Sequence, residues 1–129
     1  MLIQVKNALR GAAVLGAVAM GGVDLVLAWL TVTPDSFHLH AAPPGPVEHL
    51  IAGLLAALAA ALVLGAVAAS NGLPWRRRGL LLIAGGAGLE ALWALTWLLI
   101  FRPNGVIAMF LGYSVALSGL SAWLWRDER

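Results

Sequence analysis

The chain has 129 residues, of which 61% are hydrophobic and 11% are charged, with no cysteine and a formal net charge of +2. Soluble domains are about 45–50% apolar and about 25% charged, so this composition excludes a soluble globular protein and indicates an integral membrane protein. The lack of cysteine excludes disulfide, thiolate–metal and cysteine-nucleophile chemistry. The basic residues lie where membrane topology requires them, which argues against a nucleic-acid partner.

Four apolar runs account for nearly the whole chain, at about residues 11–33, 50–69, 79–101 and 106–125. Each is close to the roughly 20 residues that cross about 30 Å of hydrocarbon as an α-helix. The sequence therefore predicts an all-α integral membrane protein, in which residues 1–129 form one transmembrane domain built as a bundle of four helices.

The first run contains an acid, Asp24, within the otherwise apolar sequence GGVDLVLAW. A charged residue at the centre of a membrane helix costs about 2.5–3.5 kcal/mol on the insertion scale, so such residues are functional candidates by default. Asp24 follows a stripe of small residues at four-residue spacing, Ala13, Ala17 and Gly21. Small residues let helices approach closely in lipid, which predicts that Asp24 faces the interior of the bundle.

The first run also carries a pattern of four positions. Arg10 precedes the apolar residues, Gly16 lies within them, and Val23 comes directly before Asp24. At these positions the run resembles the opening helix of the GtrA-like family of small four-helix membrane proteins. The resemblance implies a protein associated with moving polyprenyl-linked sugars across the membrane for cell-envelope glycosylation. The second and fourth runs end without the motif usual in that family, which is Asn-Phe followed by arginine and an aromatic residue.

The connection between the first two runs contains all three histidines, His38, His40 and His49, together with Asp35 and Glu48. In an extended segment the two imidazoles of HLH lie on one face, so the histidines are weak candidates for a copper or zinc site. Their spacing matches no strong metal signature, and an ordinary solvated loop is the alternative. The sequence predicts no cofactor.

The second run has a longer stripe of small residues, with Gly53, Ala57, Ala61 and Gly65 at four-residue spacing, and Gly112 belongs to a similar stripe in the fourth run. Because lipid offers no hydrophobic driving force for helix association, small residues are typical of helix contacts in membranes. These five residues are therefore predicted to pack the helices of the bundle together, and the same stripes could join two copies of the chain.

The third run contains a second acid, Glu90, near its middle. Gly86 and Ala94 lie one helical turn before and after it, on the same face. Trp93 is the one tryptophan deep in a span, since the other five lie near the predicted membrane surfaces, where amphipathic rings favour the headgroup region. Asp24, Glu90 and Trp93 are the candidate substrate- or ion-binding residues.

The two acids belong to an internal repeat. An offset of 66 residues aligns Arg10 with Arg76 and Asp24 with Glu90, so that each half has an acid fourteen residues after a basic residue. Because the first and third spans run in the same direction, this pattern predicts a parallel duplication of a helical hairpin, with the repeat axis along the membrane normal. A chance match between helices rich in alanine, leucine, glycine and valine is the alternative.

The basic residues predict the orientation of the chain in the membrane. Most of them flank the same ends of the spans, namely Lys6, Arg10, Arg76, Arg77, Arg78, Arg126 and Arg129, and only Arg102 falls on the other side. By the positive-inside rule, both termini face the cytoplasm. The predicted location is the plasma (inner) membrane of a bacterium, with several passes across it.

Asp24 and Glu90 permit two interpretations. If they face each other, desolvation and like-charge repulsion favour a neutral form, and a shared exchangeable proton or a bound cation would follow. Otherwise a protonated acid donates a hydrogen bond to a neighbouring helix and only holds the structure together.

These features favour a small transport or flippase-type protein that moves a small or lipid-linked substrate, with membrane lipid as a partner and with assembly into a homo-oligomer or a larger membrane complex. An accessory subunit with no activity of its own is the first alternative. A lipid-modifying enzyme that uses Asp24 and Glu90 is the second. The fourth run contains serines and Tyr113 but no nucleophile with a base beside it, so no catalytic residue is predicted.

Overall fold

The computed structural model of the protein describes three stretches of the chain, residues 2–32, 45–100 and 105–127. They form four α-helices: α1 (Leu2–Val32), α2 (Pro46–Ala69), α3 (Trp75–Ile100) and α4 (Gly105–Asp127). Each helix is long and apolar enough to cross a membrane. The structure thus confirms the prediction of an all-α membrane protein with four spanning helices.

The helices begin earlier than the apolar runs suggest. Helix α1 starts nine residues before the first run, because its polar first turns remain good helix formers outside the hydrocarbon. Helix α2 starts at Pro46, where proline suits the first turn. The backbone N–H of Gly45 donates a hydrogen bond of 2.8 Å to the Glu48 carboxylate, which satisfies a donor at this helix end.

The four helices form a ring. Helix α2 packs along α1, α3 along α2, and α4 along α3, whereas α4 closes the ring against α1 through a much smaller contact. Helices α1 and α3 lie diagonally opposite and touch only slightly, whereas the described parts of α2 and α4, the other diagonal pair, do not touch. An ion pair between Lys6 and Asp127 joins the start of α1 to the end of α4, so both termini lie at one end of the bundle. We call this end the basic end, since it carries Lys6, Arg10, Arg76, Arg77, Arg78 and Arg126.

Burial along the helices follows alternating steps of three and four residues. In α2 the buried positions with this spacing are Ala52, Leu55, Ala59, Leu62, Ala66 and Ala69. In α4 they are Ser114, Leu117, Ser121 and Leu124. A period of 3.5 residues keeps one seam of each helix facing its neighbours, as in left-handed coiled coils and most four-helix bundles.

The predicted stripe of small residues packs the helices at one end only. Gly65 is buried and Ala61 partly buried, but Gly53, Ala57 and Gly112 are exposed, and a side chain at Gly53 or Gly112 would meet no atom within 4 Å. The prediction is therefore wrong for Gly53, Ala57 and Gly112 within one chain. A step of four residues turns about 400° around the helix axis, so each residue of such a stripe lies about 40° further around than the one before. After a few steps the stripe no longer faces the neighbouring helix.

Gly65 lies where α2 and α3 cross most closely. A Cβ atom on Gly65 would approach the backbone oxygen of Gly79 to 2.9 Å, and one on Gly79 would overlap backbone atoms of Gly65, Ala68 and Ala69. Only hydrogen fits between the two backbones at this point. The sequence stripe ending at Gly65 thus contributes one glycine to a glycine–glycine crossing near the basic end.

The buried positions of α1 coincide with buried positions of α3 when the two helices are aligned at the 66-residue offset of the repeat. All six buried residues of α1 fall on buried residues of α3 when shifted by the same 66 positions; the α1 set is Ala13, Ala17, Met20, Gly21, Asp24 and Ala28, and the α3 set is Gly79, Ile83, Gly86, Ala87, Glu90 and Ala94. The two helices therefore present equivalent faces to the centre of the ring, with the two acids at equivalent positions. This agreement favours the duplicated hairpin over a chance match.

The apolar core is divided into two clusters. The larger one extends from the basic end and includes Met20, Leu62 and Ala87, and the smaller one near the opposite end consists of Ala28, Ala52 and Leu55. Along α1 and α3, the acids come after the larger cluster. The interruption of the core is thus the place where the acids lie.

Candidate functional site

The structure brings Asp24 and Glu90 together. Asp24 is 0% exposed and Glu90 is 1% exposed, and the two carboxyl groups interact directly across the centre of the ring. The sequence could predict that each acid faces the interior, but not that they meet, because their contact depends on the order of the helices around the ring. Since α1 and α3 are diagonal and present equivalent faces, equivalent residues meet near the axis.

Apart from each other, the two carboxyl groups have no hydrogen-bond partner among the residues that the structure describes. The basic side chains of the described stretches lie at the basic end. Arg10 and Arg76 each precede their acid by fourteen residues, which is about 21 Å along a helix. Buried carboxyl groups are normally hydrogen-bonded or paired with a cation, so this pair is chemically incomplete.

The pair lies against a cavity of about 410 Å³. All four helices contribute to its wall. Apart from the two acids, the described residues that line it are apolar or aromatic: Val23, Leu27, Leu55, Trp93, Ala94, Trp97, Val106, Ile107 and Phe110. From Asp24 to the end of α1 at Val32 is about 12 Å, so the cavity occupies the half of the bundle away from the basic end. Volumes of about 300–1,000 Å³ are typical of small-molecule sites.

Three aromatic side chains line the cavity: Trp93, Trp97 and Phe110. The rings of Trp93 and Trp97 are one helical turn apart and meet edge to face, with their centroids 6.2 Å apart and their planes at 61°. The structure thus places Trp93 beside both acids, as the sequence suggested. The sequence predicts Trp97 at the membrane surface, but in the structure it lines the cavity. Its four-residue spacing from Trp93 is the signal that could have placed both rings on one face of α3. Nothing in the sequence of α4 pointed to Phe110.

The contact between α1 and α4 contains a groove that continues from the cavity. A second cavity of about 340 Å³ shares Val23, Val106 and Phe110 with the first and extends along Met20 and Tyr113. On the side of this groove toward the basic end, the Tyr113 hydroxyl of α4 donates a hydrogen bond of 2.8 Å to the backbone oxygen of Gly16 on α1. The groove therefore leads from the side of the bundle, between α1 and α4, to the cavity against which the buried acids lie.

The three serines of α4 differ in their hydrogen bonding. Ser118 donates a hydrogen bond of 2.8 Å to the backbone oxygen of Ala84 and so links α4 to α3. Ser114 bonds the backbone of its own helix, at Phe110. Ser121 is buried with no hydrogen-bond partner among the described residues. None of the three lines the cavity of the acids.

At the basic end, the other pair of repeat-related residues also comes together. Arg10 and Arg76 line one cleft of about 310 Å³ between α1 and the junction of α2 with α3, together with Asn7 and Ser70. Arg10 donates a hydrogen bond of 3.0 Å to the side-chain oxygen of Asn7. The basic pair of the sequence repeat thus lines one cleft at the basic end, and the acidic pair lies about 21 Å further along the helices, where the core is interrupted.

The histidine prediction lies mostly outside the described residues, because His38, His40 and Asp35 fall in the stretch between α1 and α2 that the structure leaves out. His49 is exposed in the first turn of α2, and its Nδ1 lies 2.8 Å from the backbone oxygen of Gly45. Within the described stretches, no group of three metal-ligating side chains comes together.

No family model matches the chain, and neither the curated proteins nor the solved structures compared with it give a match. The resemblance of the first span to the GtrA-like helix stays a prediction. In the structure its four residues fall on the features described above: Arg10 lines the basic cleft, Gly16 accepts the hydrogen bond from Tyr113, and Val23 and Asp24 line the cavity.

Proposed function

We propose that this chain is a small membrane transport protein, in which the Asp24–Glu90 pair carries a proton or a cation that is exchanged as a small or lipid-linked substrate moves. The observation that carries the proposal is the pair itself. Two fully buried carboxyl groups face each other, line an open cavity, and have no basic partner among the described residues. Intramembrane acids of this kind are typical of ion and proton pathways.

The electrostatics of the pair favour an exchangeable positive charge. Two carboxylates about 4 Å apart repel each other by about 4 kcal/mol at an effective dielectric constant of about 20. A proton shared between them, or a cation bound to both, removes this repulsion. Because the pair lies against this cavity, we expect such a charge to be exchanged through it without unfolding of a helix.

The position of the acids distinguishes this function from the alternatives drawn from the sequence. A carboxyl group that only holds helices together is expected to bond a backbone or side-chain group that has no other role, but apart from each other the two acids have no partner among the described residues. A lipid-modifying enzyme with a hydroxyl nucleophile would need a serine, threonine or tyrosine at the cavity, and the described part of the lining contains none. Both observations favour transport.

An accessory subunit is the second candidate, and the exposed small residues favour it. Gly53, Ala57 and Gly112 lie on faces that no other helix of the described chain covers. Such faces could receive helices of a larger complex or of a second copy in the plasma membrane, with both termini in the cytoplasm. The experiment must therefore ask whether the chain acts alone.

Transport is tested on the purified protein in liposomes that enclose a pH-sensitive dye. An inward gradient of Na⁺ or K⁺ is imposed, and the internal pH is followed. We expect the wild type to move protons in exchange for one of these ions, and Asp24→Asn and Glu90→Gln to lose at least nine-tenths of the rate. Asp127→Asn is the matched control, because this acid pairs with Lys6 outside the core and the rate should stay at the wild-type value.

Two results would overturn the proposal. One is proton movement that is the same in wild type, Asp24→Asn and Glu90→Gln. The other is no movement by the isolated wild type, combined with a stoichiometric complex with larger subunits when the protein is extracted in mild detergent and weighed by native mass spectrometry. The second result would establish the accessory role instead.

A further inference from the structure

We propose that the cavity beside Asp24 and Glu90 binds an organic cation with an apolar body, whose positive charge lies at the two carboxyl groups and whose body packs on Trp93, Trp97 and Phe110. This inference rests on the proposed function, because it names the class of ligand for the same acidic pair. It goes further in predicting which cation is selected and by which route it enters.

The charge of the cavity selects the sign of the ligand. Among the residues that the structure describes, Asp24 and Glu90 are the only titratable side chains in its lining, and the nearest one in the adjoining groove is Tyr113. An anionic headgroup would meet two carboxyl groups and no basic residue of the described chain. A neutral ligand would leave the pair without a counter-charge. A cation satisfies both carboxyl groups at once.

The walls of the cavity select the type of cation. Hard metal ions such as Mg²⁺ and Ca²⁺ take six to eight oxygen ligands, including waters, whereas this cavity offers the four oxygens of two carboxyl groups within an apolar and aromatic wall. The space of about 410 Å³ is also far larger than one metal ion needs. Aromatic faces instead bind organic cations of low hydration, such as quaternary ammonium groups, by cation–π attraction.

The route into the cavity suits a ligand that dissolves in the membrane. Val23 and Val106 stand where α1 and α4 separate, and they are 46% and 74% exposed. Both residues line the cavity as well as the groove that continues along α1 and α4. A cation with an apolar body concentrates in the outer part of the bilayer and can enter sideways between these two helices.

Binding of such a cation is linked to release of a proton. When a monovalent cation takes the place of the proton held by the pair, one O–H bond breaks, the proton leaves to water, and the carboxylate stays as counter-ion. No oxidant or covalent step is involved. The site therefore exchanges one positive charge for another, which is the coupling that the proposed function requires.

The test uses two probes of nearly equal size and shape and opposite charge, tetraphenylphosphonium and tetraphenylborate. Binding to the purified wild type in mild detergent is measured by equilibrium dialysis, and proton release is recorded with a pH dye in weak buffer. We expect saturable binding of the phosphonium at one site per chain with release of a proton, and no saturable binding of the borate.

Variants of the acids and of Trp93 identify which side chains bind the phosphonium. Asp24→Asn and Glu90→Gln should each weaken phosphonium binding roughly tenfold or more, because a charged partner is lost. Trp93→Leu should weaken it about three- to thirtyfold but leave proton release intact, since only the cation–π contact disappears. Trp123→Leu is the matched control, because Trp123 is exposed at the basic end of α4 and should have no effect. Helical circular dichroism confirms that each variant is folded.

Equal binding of the two probes, or phosphonium binding that survives both acid-to-amide variants in folded protein, would overturn the inference. If the wild type binds no phosphonium but still exchanges Na⁺ or K⁺ for protons through Asp24 and Glu90 in liposomes, the organic-cation inference fails and the proposed function stands. If acid-dependent exchange is also missing, both fail.

Discussion

The hydroxyl of Tyr113 on α4 donates its hydrogen bond to the backbone oxygen of Gly16 on α1, at 2.8 Å. This bond crosses the smallest contact between neighbouring helices in the ring. A Cβ atom on Gly16 would lie 3.0 Å from the Tyr113 oxygen and 3.2 Å from Leu117, so glycine leaves room for the tyrosine to approach. The bond closes the groove between α1 and α4 on the side toward the basic end.

We therefore expect Tyr113→Phe to loosen the contact between α1 and α4. Hydrogen bonds between membrane helices contribute about 0.6 kcal/mol on average and up to about 1.7 kcal/mol, and the free energy of unfolding should fall by an amount in this range. It is measured by titration with sodium dodecyl sulfate in mixed micelles. Gly16→Ala should give a similar loss, because the tyrosine must move; unchanged stability in both variants would show that the bond does not hold the two helices.

The crossing of α2 and α3 at Gly65 and Gly79 predicts a larger effect. A methyl group at Gly79 overlaps the backbone of α2, which cannot move aside as a flexible side chain can. Gly79→Ala should lower the free energy of unfolding by at least about 1–3 kcal/mol, the usual effect of overpacking. Gly85→Ala is the matched control, because a Cβ atom there meets nothing within 4 Å and alanine favours helix; its stability should equal or exceed that of the wild type.

The acidic pair should lower stability while it serves function. Asp24→Asn places an amide donor beside Glu90, so a hydrogen bond between the two side chains is kept while the cost of burying a pair that can ionise is reduced. We expect Asp24→Asn and Glu90→Gln to raise the free energy of unfolding at neutral pH by about 1–2 kcal/mol while they abolish proton exchange. The same detergent titration measures the change. Variants that are both inactive and less stable would indicate that the pair mainly holds the bundle together.

Ser118 and Ser121 provide a matched pair on one helix. Ser118 bonds Ala84 on α3, whereas Ser121 is buried without a described partner. Ser118→Ala should lower the free energy of unfolding by about 0.6 kcal/mol, and Ser121→Ala should leave it unchanged or raise it, because an unsatisfied hydroxyl is removed. Each effect is determined by detergent titration against the wild type. A larger loss in Ser121→Ala than in Ser118→Ala would contradict this assignment.

The fold was largely predictable because a membrane helix is specified by the composition of about 20 residues. The interior position of Asp24 and Glu90 followed from small residues one turn away, and burial confirms it. What the sequence could not provide is the arrangement around the ring, which decides that the acids meet and that Phe110 joins their cavity. A four-residue stripe also failed as a guide to contact in α2, since the packed seam follows a period of 3.5 residues.

For the proposed transport function, the parallel form of the repeat limits how an inward-open and an outward-open state could be formed. Transporters built from inverted repeats can reach the second state when their two halves exchange conformations. Here α1 and α3 run in the same direction and hold their acids at the same depth, so exchanging the two halves reproduces the same opening. An opening toward the basic end must therefore break the symmetry of the hairpins, and the contact of α1 with α4, held by Tyr113 and Gly16, is where the ring can part.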